Sequence, residues 1–266
     1  MKLLFLHGIG GSEMIASLMI PGLKAEFAQS EVHVLEGFIQ LSDDEIRNSV
    51  GMDDNMKASG LKGTVKLHCW YQTETKGGLN WPLSYSHVES ARDKIIDAIA
   101  ELGGVDGIIG FSQGATMAFL IGEQRATLNK MCGRQLRFIA GFGAGPTALK
   151  LRGHDSPKGS MDGLLVYLCS GRNDPVGGAD RLSEIAAKLQ PSGATILMTE
   201  WSGGHKMPPT GDRSYSQLRA AAEARLPPLQ RLCMALAACL CTPDNEAEPH
   251  SGGLPQRAAG KGNDLL

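Results

Sequence analysis

Asp106-Gly107-Ile108-Ile109-Gly110-Phe111-Ser112-Gln113-Gly114-Ala115-Thr116-Met117-Ala118-Phe119 is the stretch from which the rest of the chain is read. A short apolar run, Val105 to Ile109, meets Gly110-Phe111-Ser112-Gln113-Gly114, and a helix-forming segment follows. In a strand–turn–helix setting this G-x-S-x-G spacing marks a nucleophile elbow. A serine whose Oγ must project above a sheet sits in a very tight turn. Side chains two positions before and after it would collide with the backbone folded against them, and glycine at Gly110 and Gly114 removes the collision. The helix that begins after Ser112 aims its N-terminus at the reacting centre, where it favours developing negative charge. In a chain with 34 glycines the pentapeptide alone is a weak signal, and its setting gives it weight.

Working outward, Ser86 to Leu102 predicts a helix, because Val88, Ala91, Ile95, Ile99 and Leu102 recur at helical spacing and Gly103-Gly104 ends it. Further strands are expected at Lys2–Leu6, Glu31–Leu35, Leu136–Ala140, Leu164–Cys169 and Thr195–Thr199. Further helices are expected over Met14–Gln29, interrupted near Pro21-Gly22, and over Ala179–Leu189 and Arg213–Arg225. The elbow helix is expected to run to about Glu123 or Arg125. Strands alternating with helices predict an α/β fold, a mainly parallel sheet with helices on both faces.

Chemistry collects after these strands. Ser112, Asp174 and His205 follow in the chain order of the α/β-hydrolase triad. Each lies just past an expected strand, at what would be the carboxyl edge of a parallel sheet. An imidazole beside Ser112 would take the Oγ proton and return it to the leaving group, and Asp174 would hold the imidazole tautomer. Asp174-Pro175 also suits an ordinary turn. Asp162 and Asp180 are rival acids, but one precedes its strand and the other falls inside the following helix. The first strand runs into His7-Gly8-Ile9-Gly10-Gly11-Ser12, a turn open enough to present backbone N–H groups to an oxyanion. The expected oxyanion donors are the N–H groups of Ile9 and Gln113, with Gly10 as the alternative to Ile9. His7 is read as holding this turn through hydrogen bonds, against the reading of a catalytic base.

The composition bounds the rest. A chain of 266 residues with net charge −2 suits one α/β domain, expected over 1–228. No basic stripe suggests nucleic acid. Neither the six scattered cysteines nor the histidines have metal-ligand spacing, so no metal or cofactor is expected. Free thiols favour a reducing compartment. The opening apolar run is too short for a signal peptide and Leu232–Leu240 too short for a membrane span, so a cytoplasmic location is expected. Gly37 to about Leu83 reads as irregular, and 51–85 as a candidate lid or acyl-pocket segment. Its aromatics Trp70, Trp81 and Tyr85 would line the pocket or, equally, pack the segment onto the domain. A further helix is expected over 229–241 and a disordered tail over 242–266.

The chain resembles the FSH-type serine hydrolases, a family of the α/β-hydrolase superfamily. The resemblance runs from Leu3 to about Pro209. It rests on Leu6-His7-Gly8, His68-Cys69-Trp70-Tyr71, Asp106 to Ala115, Gly171-Arg172-Asn173-Asp174-Pro175-Val176 and Gly204-His205-Lys206-Met207-Pro208. Gly-Phe-Ser-Gln-Gly also occurs in the group that includes acyl-protein thioesterases. The resemblance implies the α/β-hydrolase fold and cofactor-free hydrolysis of carboxyl esters or thioesters, with Ser112, Asp174 and His205 as the triad. The substrate would be a small-molecule acyl ester or thioester, with an acyl-carrier or synthase donor as a candidate partner. A lysophospholipase-like or acyl-protein hydrolase and a non-catalytic binding module are the alternatives. The Gly10-Gly11 pair, the 42–63 segment and the tail depart from the family pattern.

Overall fold

Strand β1 (Lys2–Leu6) is apolar on both sides. Its alternation sends Leu3 and Phe5 to one face of the sheet and Leu4 and Leu6 to the other. That pattern requires a strand covered from both sides. The computed structural model describes residues 1–48, 65–74, 84–145, 160–228 and 230–231. In it β1 lies inside a six-stranded sheet with β2 (Glu31–Leu35), β7 (Gly107–Phe111), β8 (Phe138–Phe142), β9 (Leu165–Gly171) and β10 (Thr195–Trp201). The strand order is β10-β9-β8-β7-β1-β2, and every neighbouring pair is parallel. All carboxyl ends therefore face one edge.

Helices α4 (Val88–Glu101), α5 (Gln113–Gly122), α6 (Arg125–Met131) and α7 (Ala179–Leu189) cover one face. Helices α1 (Glu13–Met19), α2 (Pro21–Glu26) and α8 (Arg213–Glu223) cover the other. The fold class agrees with the expectation. The expected break near Pro21 is real: Pro21 begins α2 after α1 has ended at Met19, where its missing N–H costs nothing.

At the opposite edge of the sheet, Asp106 is almost fully buried at the start of β7. Its Oδ2 accepts from Lys2 N at 2.8 Å and from Arg134 Nη1 at 2.6 Å. These contacts tie β1 and β7 to the chain leading into β8 and compensate the buried charge, which unpaired would cost several kcal/mol. Among the described residues no helix is long and apolar enough to cross a membrane.

Three details differ from the sequence reading. The described part of the segment read as irregular carries short elements: β3 (Ile39–Gln40) pairs antiparallel with β4 (His68–Cys69), α3 spans Asp43–Asn48, and β5 (Gln72–Glu74) pairs with β6 (Ser84–Ser86). Two or three residues are too few to show period-two alternation. The elbow helix stops at Gly122, and α6 follows unannounced, since Leu128 is its single buried residue. The apolar surroundings of Cys132 and Cys169 in the sequence predict buried free thiols; Cys169 is buried, as is Cys69, whereas Cys132 is only partly covered. Trp81, most of the expected 229–241 helix and the 242–266 tail lie outside the described residues.

Candidate active site

The elbow is built by steric exclusion. Ser112 joins β7 to α5 with φ 52° and ψ −115°, a conformation that costs a non-glycine residue on the order of 1–3 kcal/mol and persists only where the surroundings enforce it. The surroundings are backbone. A Cβ on Gly110 would stand 2.3 Å from Gly114 O, and one on Gly114 would stand 2.1 Å from Leu6 O. Helix α5 thus lies against β1 at a distance only glycine permits, and Ser112 is pushed above the sheet edge. Its own N–H is satisfied by Phe142 O at 2.8 Å.

Three side chains from three different strand ends meet there. His205, in the turn after β10, places Nε2 3.0 Å from Ser112 Oγ. Its Nδ1 lies 2.9 Å from Asp174 Oδ2 and 3.1 Å from Oδ1. Asp174 is nearly buried, and its Oδ1 also accepts from Val176 N at 2.7 Å and Gly177 N at 2.8 Å. Burial alone would push its pKa up. The hydrogen bonds from His205, Gly177 and Val176 outweigh burial and hold the carboxyl below its ordinary value. Asp174 is therefore an anion whose Nδ1 partner must carry a proton, which leaves Nε2 as an acceptor facing the serine hydroxyl. Phe111 packs on the imidazole, ring centroids 5.0 Å apart. Gly143 (φ 57°) passes so close that a Cβ would lie 3.1 Å from His205 Nδ1 and 3.2 Å from Asp174 Oδ2.

The turn after β1 lies beside the elbow: a Cβ on Gly8 would stand 3.1 Å from that of Ser112. Within the turn Gly10 N donates to His68 O and Gly11 N to Gly8 O. The N–H groups of Ile9 and Gln113 have no acceptor among the described residues. His7 is fully buried; its Nε2 accepts from Gly37 N at 2.9 Å, so Nδ1 carries the proton and donates to Gly8 O at 2.6 Å. Burial holds its pKa below the ordinary imidazole value. It is a neutral bracket within the turn, as the sequence reading has it.

Of the aromatics expected to line an acyl pocket, Trp70 has no exposed surface. Its ring packs on His7 and Phe38, and its Nε1 donates to His7 O at 2.7 Å. Of the two readings left open for this residue, that is the packing one. Tyr85 is partly buried against Tyr71. The side chain of Gln113, which the sequence reading used only for its N–H, is buried and bonds the backbone of Trp70 and Tyr71. The signal available was a long polar side chain at the first position of an otherwise apolar helix. Cys69, in the neighbouring strand, is no rival nucleophile: burial pushes its thiol up to about 12.

Known proteins of similar sequence and fold are esterases and other hydrolases. The chain is similar to Esterase FPY3 of Fusarium mangiferae, 27% identical over 127 residues, 46% of this chain and 48% of that protein. The chain thus spans about half the length of that relative. Among solved structures, SOBER1 of Arabidopsis thaliana superposes with a TM-score of 0.56 at 15% identity, covering 85% of this chain and 99% of that one. A carboxylesterase of Bacillus cereus gives 0.56 at 16%, covering 85% and 88%. At such identities the two structures speak for the α/β-hydrolase fold alone. Residues 1–215 match the family described as serine hydrolase (FSH1), and on that match, over a site carrying an elbow serine, the chain belongs to the FSH1 serine hydrolase family.

Proposed function

We propose that the chain is a serine esterase or thioesterase that works through an acyl-enzyme at Ser112. The observation that carries this reading is the hydrogen-bonded sequence Ser112 Oγ–His205–Asp174 on a strained elbow. In the first half-reaction Ser112 Oγ attacks the acyl carbonyl carbon, and its proton passes to His205 Nε2. The carbonyl oxygen becomes an oxyanion. The N–H groups of Ile9 and Gln113, which meet no acceptor among the described residues, would be its donors, aided by the N-terminus of α5. As the tetrahedral adduct collapses, His205 gives that proton to the departing alkoxide or thiolate. Water then repeats the sequence on the acyl-serine, releasing the acid and restoring Ser112. Asp174 keeps the imidazole in the required tautomer and offsets its positive charge.

The substrate class is a small to medium acyl ester or thioester. An alkoxide needs the His205 proton to depart and a thiolate, the weaker base, needs it less, so the same site serves a small-molecule ester and an acyl group delivered as a thioester by a carrier or synthase. The free thiols Cys69 and Cys169 fit a cytoplasmic setting. Fluorophosphonate labelling of wild type beside Ser112→Ala, with mass mapping, tests the reading. Labelling confined to Ser112 and lost in the variant is expected. A folded wild type that takes up no probe would overturn it in favour of a binding module.

A further inference from the structure

We infer that Gln113 is a positioning residue whose carboxamide, acting through Trp70 and His7, holds its own N–H and that of Ile9 at one fixed spacing across the oxyanion. The inference rests on the reading given under Proposed function and adds to it the device that sets the oxyanion geometry.

The chain of contacts begins at the elbow. Gln113 Oε1 accepts from Trp70 N at 2.8 Å, and Nε2 donates to Tyr71 O at 2.8 Å. A carboxamide offers one acceptor and a donor side by side, which matches the N–H and C=O of two successive residues in extended backbone. Glutamate, methionine or leucine cannot make both bonds. From the clamped segment the Trp70 indole reaches back, Nε1 to His7 O at 2.7 Å. His7 then bonds Gly8 O through Nδ1 at 2.6 Å. Gln113, Trp70 and His7 are all buried, so water does not compete for these bonds.

The last bond sets a direction. Gly8 O and Ile9 N belong to the same peptide group, which is planar and trans, so its C=O and N–H point in opposite senses. With Gly8 O held by His7 Nδ1 and by Gly11 N at 3.2 Å, Ile9 N–H is turned away from the His7 ring. A peptide rotation at that position would aim the carbonyl at the oxyanion instead. The turn is separately anchored, since Gly10 N donates to His68 O and His68 N to Gly11 O. The path through Gln113 is thus not needed to attach the turn. What it adds is a link between the two donors that includes none of Ser112, His205 or Asp174.

The test is pre-steady-state acylation by p-nitrophenyl acetate in wild type, Gln113→Met, Trp70→Phe and the double variant. Both substitutions keep every backbone N–H, and each cuts the path at a different link. The burst amplitude counts competent Ser112, which separates slow chemistry from misfolded protein. Each single variant is expected to keep its amplitude and apparent substrate affinity while the acylation rate constant falls about 10- to 100-fold. The double variant should be no slower than the slower single one, because both cut the same path. Single-variant rates within about threefold of wild type, or losses that multiply in the double variant, would overturn the inference. A folded wild type that takes up no fluorophosphonate at Ser112 would instead overturn the acyl-enzyme reading. Amide hydrogen exchange then still decides the inference: Gly11, whose N–H donates to Gly8 O, should exchange about tenfold faster in Gln113→Met while Gly10 and Leu3 to Leu6 stay unchanged, and unaltered exchange at Gly11 refutes it.

Discussion

Asp174→Asn separates charge and tautomer from shape. In the native site Oδ1 accepts from two backbone donors, Val176 N and Gly177 N, and Oδ2 faces His205 Nδ1. Asparagine keeps the outline but has one oxygen. If that oxygen stays on the two backbone N–H groups, the NH₂ faces Nδ1. The imidazole must then hold its proton on Nε2, where it cannot receive the Ser112 proton. The productive arrangement requires the amide to flip, which leaves two backbone N–H groups, one partly buried and one buried, facing an NH₂. At about 1–3 kcal/mol for each orphaned donor, the flip costs roughly 2–6 kcal/mol. At about 1.4 kcal/mol per decade, the competent fraction falls by somewhere between roughly 30-fold and 10⁴-fold. Loss of the anion that stabilises the imidazolium adds to this, so kcat should drop about 10³- to 10⁴-fold. KM should hold, because Asp174 does not touch the substrate. The assay is steady-state hydrolysis of a p-nitrophenyl ester at neutral pH, with thermal unfolding as the control for folding. A kcat loss below about 30-fold in a folded variant would refute the assignment of Asp174 as the group that fixes the tautomer.

Other expectations follow from neighbouring contacts. Gly114→Ala drives a Cβ to 2.1 Å from Leu6 O; it should cost about 3 kcal/mol or more in urea unfolding and abolish fluorophosphonate labelling. Gly143→Ala forces an alanine to φ 57° beside the Asp174–His205 pair. It should cost about 1–2 kcal/mol of stability and lower kcat about tenfold with KM little changed, read by unfolding and steady-state rates on one preparation. His7 gives a pH signature. Its folded pKa is depressed by burial and the unfolded chain titrates near 6.5, so below about pH 6.5 the unfolded state binds the extra proton and stability falls as pH falls. The slope of urea midpoint against pH on that side should be shallower in His7→Asn than in wild type; parallel slopes would refute the buried neutral imidazole.

The parts legible in the sequence are those where one residue type has one reason to be present. Gly110 and Gly114 announced the elbow because a Cβ there meets backbone. The strands that lead to Ser112 and Asp174 were legible because each is an apolar run of the kind a doubly covered parallel strand requires, whereas β10, the edge strand before His205, shows only Ile196-Leu197-Met198 between two threonines and leaves Leu197 and Met198 exposed. The two-residue strands β3 and β4 were not, since pairing at that length is decided by distant partners. For Trp70 the sequence left two readings open for a related reason. An aromatic in an irregular segment gives no hint of which way its ring turns, and here it turns inward to meet a main-chain carbonyl. The second use of Gln113 was hidden because its partners lie 42 and 43 residues away, and nothing local marks them.

The order of strands in the sheet also sets a timetable during synthesis. Strand β1 can pair with β2 soon after Leu35 is made, but its other edge belongs to β7, which begins at Gly107. Seventy-two residues separate Leu35 from Gly107 (107 − 35). At about 5–20 residues per second, β1 waits roughly 4–14 seconds with an open edge. That edge carries Leu3, Leu4, Phe5 and Leu6, all buried in the finished protein, and an unpaired apolar strand is a template for pairing between nascent chains. Substitutions that delay β7, such as those at Asp106 or Gly107, should therefore lower the yield of folded protein from the ribosome more than the activity of each molecule that completes the sheet.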